Sequence, residues 1–253
     1  MSIENLTALM FVIAIATYIQ TVTGFGLGMI VMGATSGFGL APMPVVAAVV
    51  SLITLVNSAV ALPGRMHLVD WRAARAVLLG VIPSIVGGVM LLEYLNNSAS
   101  TLLKFLLGAV IAYSGVVFAV RPTQHPERSP DRSYFVCGLF SGLFGGLFGM
   151  AGPPAIFHFY RQPMDLAVVR HMLLLVFAFT STTRTVYLGA TGELTREIWI
   201  LSAMAALLVA LATAAGRHYP PPFAHLTMRR IAFGILFLIG AGLMASALSE
   251  FAV

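Results

Sequence analysis

Long apolar runs separated by short polar loops make up most of the chain. In each half, a first run is followed by a glycine-rich break, a short arm and three longer runs. A spanning helix needs about 20 residues, so the short arms are expected to be half-helices or re-entrant segments. The pattern predicts an all-α polytopic membrane protein. The runs are residues 6–22, 27–35, 45–62, 73–95 and 102–120, then 134–148, 154–160, 166–188, 198–216 and 231–248.

The distribution of charged residues predicts that the two halves are inverted repeats. Basic loops of membrane proteins stay in the cytoplasm. Three arginines lie between residues 65 and 75, whereas the corresponding loop of the second half holds Glu193 and Glu197. Equivalent loops are therefore expected on opposite faces of the membrane, and each repeat is a broken or re-entrant helix pair plus three transmembrane helices. The predicted parts are a first repeat of residues 1–120, a cytoplasmic linker of residues 121–133 and a second repeat of residues 134–253.

The composition supports a membrane protein. Hydrophobic residues make up 59% of the chain and charged residues 9%, whereas a soluble domain carries roughly 25% charged residues. The formal charge of +5 comes from only 14 Lys and Arg residues, which sit mostly in short loops, so it does not indicate a nucleic-acid partner. The expected partners are the lipid bilayer and a small anionic substrate. The oligomeric state is left open, with a homodimer among the alternatives.

Sequence signatures of enzymes are missing. The chain has no H-E-x-x-H motif, no G-x-x-x-x-G-K-[ST] motif and a single cysteine, Cys137. Zinc hydrolysis, ATP-driven transport and cysteine-based metal clusters are therefore not indicated. We expect no catalytic residue, no metal and no cofactor.

The two glycine-rich breaks, Thr23–Gly28 and Phe148–Pro154, are the first candidate for a binding site. Non-helical backbone at membrane depth survives only where protein covers it or where it lines a cavity. Paired breaks in corresponding positions of two halves point to a transporter's substrate site, and helix N-termini attract anions through unpaired N–H groups. The alternative is that these glycines serve tight helix packing. The candidate glycines are Gly24, Gly26, Gly28, Gly149 and Gly152.

Arg184 is the most informative single residue, because it lies inside the apolar run 166–188. A cation within a membrane helix is costly and marks function by default, which favours contact with an anionic substrate. The alternative is a side chain that extends to the outer interface, since the run ends one turn later. Arg170, near the cytoplasmic start of the same run, is interpreted as an interfacial anchor.

Four further polar residues complete the predicted site. Gln20 precedes the first break and Thr23 is its first residue. Both are expected to line the same cavity as the candidate glycines. Asn57 belongs to a polar stripe on the third run, which either lines the cavity or joins neighbouring helices. His158 lies on the short arm of the second half. A titrating imidazole there would couple anion movement to protons, and a structural hydrogen bond is the alternative.

The second break also carries a family resemblance. The stretch from Gly138 to Pro154, GLFSGLFGGLFGMAGPP, resembles the small-residue run ending in a glycine cluster and proline that is typical of the TauE/SafE sulfite-exporter family. Thr23–Gly28 is similar but looser, and the loop 64–70 resembles the family's loop after the third run. The resemblance implies a bacterial inner-membrane carrier for sulfite, sulfonates such as sulfoacetate, or related small anions. The pair Pro153-Pro154 departs from the family pattern, in which further glycines are usual.

Together these features predict a secondary transporter that exports a small sulfur-containing anion, such as sulfite or an organosulfonate. Transport would proceed by alternating access around a midplane site. The alternative is an anion channel, or an uptake carrier for other small carboxylates and oxyanions. A carrier saturates with its substrate, whereas a channel does not.

Overall fold

Helices account for nearly all of the described chain. This computed structural model describes residues 3–64, 66–119, 124–219 and 225–251, so Arg65 and residues 121–123 of the predicted linker lie outside the description. The described residues form ten α-helices, one short 3-10 helix (Met66–Leu68) and no β-strand. The helices are α1 (Ile3–Thr23), α2 (Leu27–Gly37), α3 (Met43–Ala61), α4 (Trp71–Ser98), α5 (Ser100–Ala119), α6 (Asp131–Phe148), α7 (Gly152–Tyr160), α8 (Leu166–Thr191), α9 (Arg196–His218) and α10 (His225–Phe251).

Six of the described helices are long and apolar enough to cross a membrane: α1, α3, α4, α8, α9 and the Arg230–Glu250 part of α10. This confirms the predicted all-α polytopic architecture. The two broken pairs are uneven, because α1 has 21 residues against 11 in α2, and α6 has 18 against 9 in α7. Each pair therefore combines one long arm with one short arm.

Glycine allows the backbone to leave helical geometry at both breaks. Gly24 has a φ of +91° and Gly149 a φ of +67°, in the left-handed region that favours glycine. The surroundings also exclude a side chain. A Cβ atom at Gly24 would lie 2.9 Å from Cγ of Arg170 on α8, and one at Gly149 would lie 2.7 Å from the carbonyl oxygen of Ala47 on α3. Each break thus packs against a long helix of the other half of the chain.

A stripe of small residues joins α6 to α4. Gly138, Gly142 and Gly146 recur at four-residue spacing and share one face of α6. A Cβ atom at Gly138 would lie 2.0 Å from the carbonyl oxygen of Val77, and one at Gly146 would lie 2.2 Å from that of Ile85. Small residues allow such close backbone approach between membrane helices. These three glycines of the family-like stretch therefore serve helix packing.

The end of α7 is tied to the linker. The Gln162 side chain is fully buried, and its Oε1 accepts hydrogen bonds from the Ser129 N–H and the Tyr134 hydroxyl, each at 3.0 Å. The backbone N–H of His125 donates to the carbonyl oxygen of Arg161 at 2.7 Å. Because α6 also begins directly after the linker, the start of α6 and the end of α7 lie at one end of the molecule. We call it the linker end.

The end of α2, the short arm of the first broken pair, lies at the opposite end of the molecule. Asp70, just before α4, lies 3.6 Å from Arg128 of the linker, so α4 starts at the linker end. Glu93 lies near the other terminus of α4 and shares a chamber with Pro44, at the start of α3. Since α2 ends at Gly37, shortly before α3 begins, the end of α2 also lies at this opposite end.

Candidate functional site

A small cavity lies between the two breaks. Its volume is about 20 Å³, which is room for one water molecule. None of the described residues that line it is acidic or basic. The lining residues are Gln20, Gly26, Gly28, Met29, Thr54, Gly149, Met150, Ala151, Gly152, Phe177, Thr180 and Ser181. Five of the residues predicted from the sequence are among them: Gln20, Gly26, Gly28, Gly149 and Gly152.

Gln20 connects the first break to a buried polar network. Its Oε1 accepts a hydrogen bond from the N–H of Leu27, the first residue of α2, at 3.1 Å. Its Nε2 donates to Oδ1 of Asn57 at 3.0 Å. The amide nitrogen of Asn57 donates in turn to the hydroxyls of Thr21 (3.0 Å) and Thr213 (2.8 Å). Asn57 therefore fixes the orientation of the Gln20 amide and does not itself line the cavity.

The two short arms differ in the donors that their N-termini present. The first three N–H groups of α2 have no partner within the helix, and two of these residues, Gly28 and Met29, line the cavity. The first residue of α7, Gly152, is followed by Pro153 and Pro154, which have no N–H. Because the N–H of Leu27 is already bonded to Gln20, α2 offers two N–H groups, and the N-terminus of α7 offers one.

Hydroxyl groups are the second source of donors in the cavity. Thr180 and Ser181 on α8 and Thr54 on α3 all line it. The Thr180 hydroxyl already donates to the carbonyl oxygen of Val176 at 2.9 Å, so the donors are the hydroxyls of Ser181 and Thr54. The sequence pattern did not single out Thr180 and Ser181, although they belong to the polar stretch 180–185 from which Arg184 was chosen. The signal was therefore present, but choosing among these residues requires knowing which face of α8 meets the breaks.

Arg184 is buried between helices and does not reach the surface. Its side chain is only 1% exposed. Its Nε donates to the carbonyl oxygen of Gly146 at 3.2 Å, and its Nη1 donates to the hydroxyl of Ser51 at 3.3 Å. Gly146 lies in the last turn of α6, where carbonyl groups lack helical partners and the helix dipole is negative. Arg184 therefore neutralises the end of α6 beside the second break, about one helical turn from Ser181.

Arg170 has the same relation to the first break. Its Nη2 donates to the carbonyl oxygen of Thr21, in the last turn of α1. Thr21 precedes Gly24 by three residues, as Gly146 precedes Gly149. The two arginines stand at opposite ends of α8, so one helix supplies the cation that meets the C-terminal carbonyls at both breaks. The interpretation of Arg170 as an interfacial anchor missed this contact.

The remaining predicted residues lie outside the cavity. Thr23 donates its hydroxyl to the carbonyl oxygen of Ile19 at 2.7 Å and so helps to end α1. Gly24 packs against α8. His158 points its ring edge-on toward Tyr134, with ring centroids 4.5 Å apart, and its Nε2 has no hydrogen-bond partner among the described residues.

Comparison with known proteins identifies the family. Residues 9–243 match the sulfite exporter TauE/SafE family. The chain is 53% identical over 244 residues to a probable sulfite/organosulfonate exporter TauE from Cupriavidus necator, which covers 96% of this chain and 95% of that protein. No solved structure matches the chain at a significant level. The chain therefore belongs to the sulfite exporter TauE/SafE family, as a multi-pass bacterial membrane transporter and not an enzyme.

Proposed function

We propose that this protein exports a small sulfur-containing anion, such as sulfite or an organosulfonate, and that the anion binds in the cavity between the two breaks. Membership of the exporter family and the 53% identity to a probable sulfite/organosulfonate exporter support the substrate class. The observation that carries the assignment of the site is the cavity lining. It combines the N-terminal residues of a short helix with hydroxyl groups and contains no carboxylate.

Sulfite and sulfonate groups present several oxygens to hydrogen-bond donors. The N–H groups of Gly28 and Met29 lie at the positive end of the α2 dipole, and such a helix end is suited to bind an oxyanion. Ser181 on α8 and Thr54 on α3 add hydroxyl groups to the cavity lining. Gln20 holds the start of α2 in place by accepting a hydrogen bond from the N–H of Leu27. Arg184 contributes its charge from one turn away.

The size of the cavity supports a mechanism in which the site changes shape. At about 20 Å³ the cavity holds one water molecule, so a larger anion requires the walls to separate. The short arms α2 and α7 end at opposite ends of the molecule. Each broken pair also packs through a glycine against a helix of the other half. These features support alternating access by two inverted repeats, residues 1–120 and 134–253, that move about the site.

The test is transport of radiolabelled sulfite and of a sulfonate into proteoliposomes by Gly152→Leu. A Cβ atom at Gly152 would meet only the ends of flexible side chains, 3.3 Å from Ile156 Cδ1 and from Met29 Cε. The Cβ atom needs only a small shift of these side-chain ends, and the rest of the leucine side chain would occupy the cavity, so we expect transport to be abolished. Thermal unfolding of the purified variant checks that it is folded. Gly87→Leu is the control, because no atom lies within 4 Å of that position.

Normal, saturable transport by Gly152→Leu would refute the proposed site. Flux that rises without saturation in the wild-type protein would instead favour an anion channel. Saturable uptake of carboxylates without any sulfite or sulfonate transport would favour the alternative uptake carrier.

A further inference from the structure

A second, larger chamber lies at the end of the molecule opposite the linker. Its volume is about 240 Å³, and it is enclosed by the start of α3, the later part of α4, the end of α8 and the start of α9. Its charged lining residues are Arg184, Glu93 and Glu193. The other lining residues are Pro44, Val45, Ala48, Val89, Leu92, Leu188, Thr195 and Ile198.

The two carboxyl groups of this chamber face each other. Glu93 belongs to α4 and Glu193 to the loop between α8 and α9, yet both side chains line this one chamber and their charges interact. Two neighbouring carboxylates repel each other when both are ionised, and a proton on either one relieves that repulsion. Glu93 is exposed and Glu193 is half-buried. The pair can therefore exchange a proton with the water outside.

Arg184 is the charged group that connects this pair to the central cavity. Its field reaches both Glu93 and Glu193, while its guanidinium is bonded to Ser51 and to the carbonyl of Gly146 beside the second break. The lining residues from α3 and α9 carry no charge. No other titratable group among the described residues lines the chamber.

We propose that the Glu93–Glu193 pair is the proton-binding site of this transporter, and that Arg184 links its protonation to the occupancy of the central cavity. The inference rests on the proposed function. With the cavity empty, the positive charge of Arg184 stabilises the doubly ionised pair. An anion bound one turn away offsets that charge, and the pair then takes up a proton from the outer water. By linkage, a proton on the pair raises the affinity for the anion by the same factor.

Proton uptake on binding can be measured directly by calorimetry. The purified full-length protein is titrated with methanesulfonate, whose own charge is constant near neutral pH, in two buffers with different ionisation enthalpies. We expect the wild-type protein to take up a fraction of a proton for each anion bound. We also expect its affinity to rise as the pH falls, by about fivefold, the lower end of typical coupling between sites.

Glu193→Gln removes one carboxyl group of the pair and with it the repulsion that a bound proton would relieve. We expect this variant to bind methanesulfonate without proton uptake and with an affinity that does not change with pH. Glu93→Gln should behave in the same way and serves if Glu193→Gln is unstable. Glu197→Gln is the matched control, because this nearby exposed glutamate lines a separate groove with Leu6.

Three results separate the possibilities. Wild-type binding without proton uptake refutes the proton site. Undiminished uptake in both glutamine variants also refutes it and places the proton elsewhere. Absence of any saturable binding of methanesulfonate, sulfoacetate or sulfite refutes the proposed function itself, and the proton site with it.

Discussion

The two breaks look alike in outline but differ in what they offer to an anion. At the first break, Gly28 and Met29 present N–H groups at the start of α2 and Gln20 holds that helix end. At the second break, Pro153 and Pro154 occupy the corresponding positions of α7 and have no N–H. Backbone donors therefore come mainly from the first half of the chain. Hydroxyl donors come from both halves, through Thr54 and Ser181, and the cation of Arg184 comes from the second half.

The far ends of the two short arms differ as well. The end of α7 is fixed by Gln162, whose side-chain amide bonds to the linker and to Tyr134. The end of α2 leads into a turn at Phe38, which is 78% exposed. A helix end with several buried hydrogen bonds opens less readily than one followed by an exposed turn. We therefore expect the second break to act as fixed scaffolding and the first to provide most of the binding donors.

The largest expected effect tests whether the second half contributes through Arg184. Arg184→Ala removes a buried cation about one helical turn from the cavity. It should weaken sulfite or sulfonate binding by about 3 kcal/mol, the attraction between unit charges at that separation with an effective dielectric constant of about 20. Arg184→Lys keeps the charge but loses the planar guanidinium that donates to both Gly146 and Ser51. The loss of affinity should therefore be smaller than for Arg184→Ala. Affinities are measured by calorimetry on purified protein.

Arg196→Ala is the control for Arg184, because Arg196 is an exposed arginine at the opposite end of the molecule from the linker. Near-wild-type binding by Arg184→Ala would mean that the site rests on backbone and hydroxyl donors alone. In that case the charge of the second half would not contribute to binding the anion.

The next effect concerns the tightness of each break. Gly149→Ala combines a φ of +67° with a Cβ atom 2.7 Å from the backbone oxygen of Ala47, so we expect a loss of stability of about 3 kcal/mol. Gly24→Ala should cost less, since its Cβ atom would lie 2.9 Å from a side-chain carbon of Arg170 and not 2.7 Å from a backbone oxygen. The midpoint of thermal unfolding in detergent ranks the variants.

Gly39→Ala separates strain from collision. Gly39 has a φ of +61°, but no atom lies within 4 Å of its Cβ position, so only the backbone cost of about 1 kcal/mol remains. Equal losses for Gly39→Ala and Gly149→Ala would show that the contact with α3 is loose. The packing argument for the second break would then fail.

The positions of the breaks were predictable from the sequence, because glycine and hydropathy mark them directly. The start of α2 at Leu27 coincides with the predicted run, and α7 begins two residues before its predicted start at Pro154. The start of α6 was not predictable in the same way. Asp131 and the two residues after it were assigned to the linker because they are polar, but they form the first turn of the helix. Apolar runs define membrane depth, not helix ends.

The surroundings of individual polar residues were harder to predict. The sequence left Arg184 either in contact with substrate or at the outer interface, whereas its observed partners are Gly146 on α6 and Ser51 on α3. Both partners are distant in sequence, so no local pattern marks them. Asn57 likewise had two alternatives, and its bonds to Gln20, Thr21 and Thr213 depend on how α1, α3 and α9 meet.

The smallest expected effect tests the donor comparison itself by adding a donor to the second break. Pro153→Ala restores one N–H group in the first turn of α7, beside Gly152 in the cavity wall. If the anion meets this helix end, its affinity should rise by about 0.5–1.5 kcal/mol, the net value of one hydrogen bond. Stability should fall by about 0.4–1 kcal/mol, because the unfolded chain gains freedom when proline is removed.

Pro44→Ala is the matched control, because Pro44 lies in the first turn of α3 but outside the central cavity. Its stability should fall by a similar amount while its affinity for the anion stays unchanged. A gain of affinity in Pro153→Ala alone therefore cannot arise from general loosening of the fold, and it identifies a new N–H donor at the site. Equal affinities in the two variants would mean that the start of α7 does not meet the anion, so that the prolines there serve only to begin the helix.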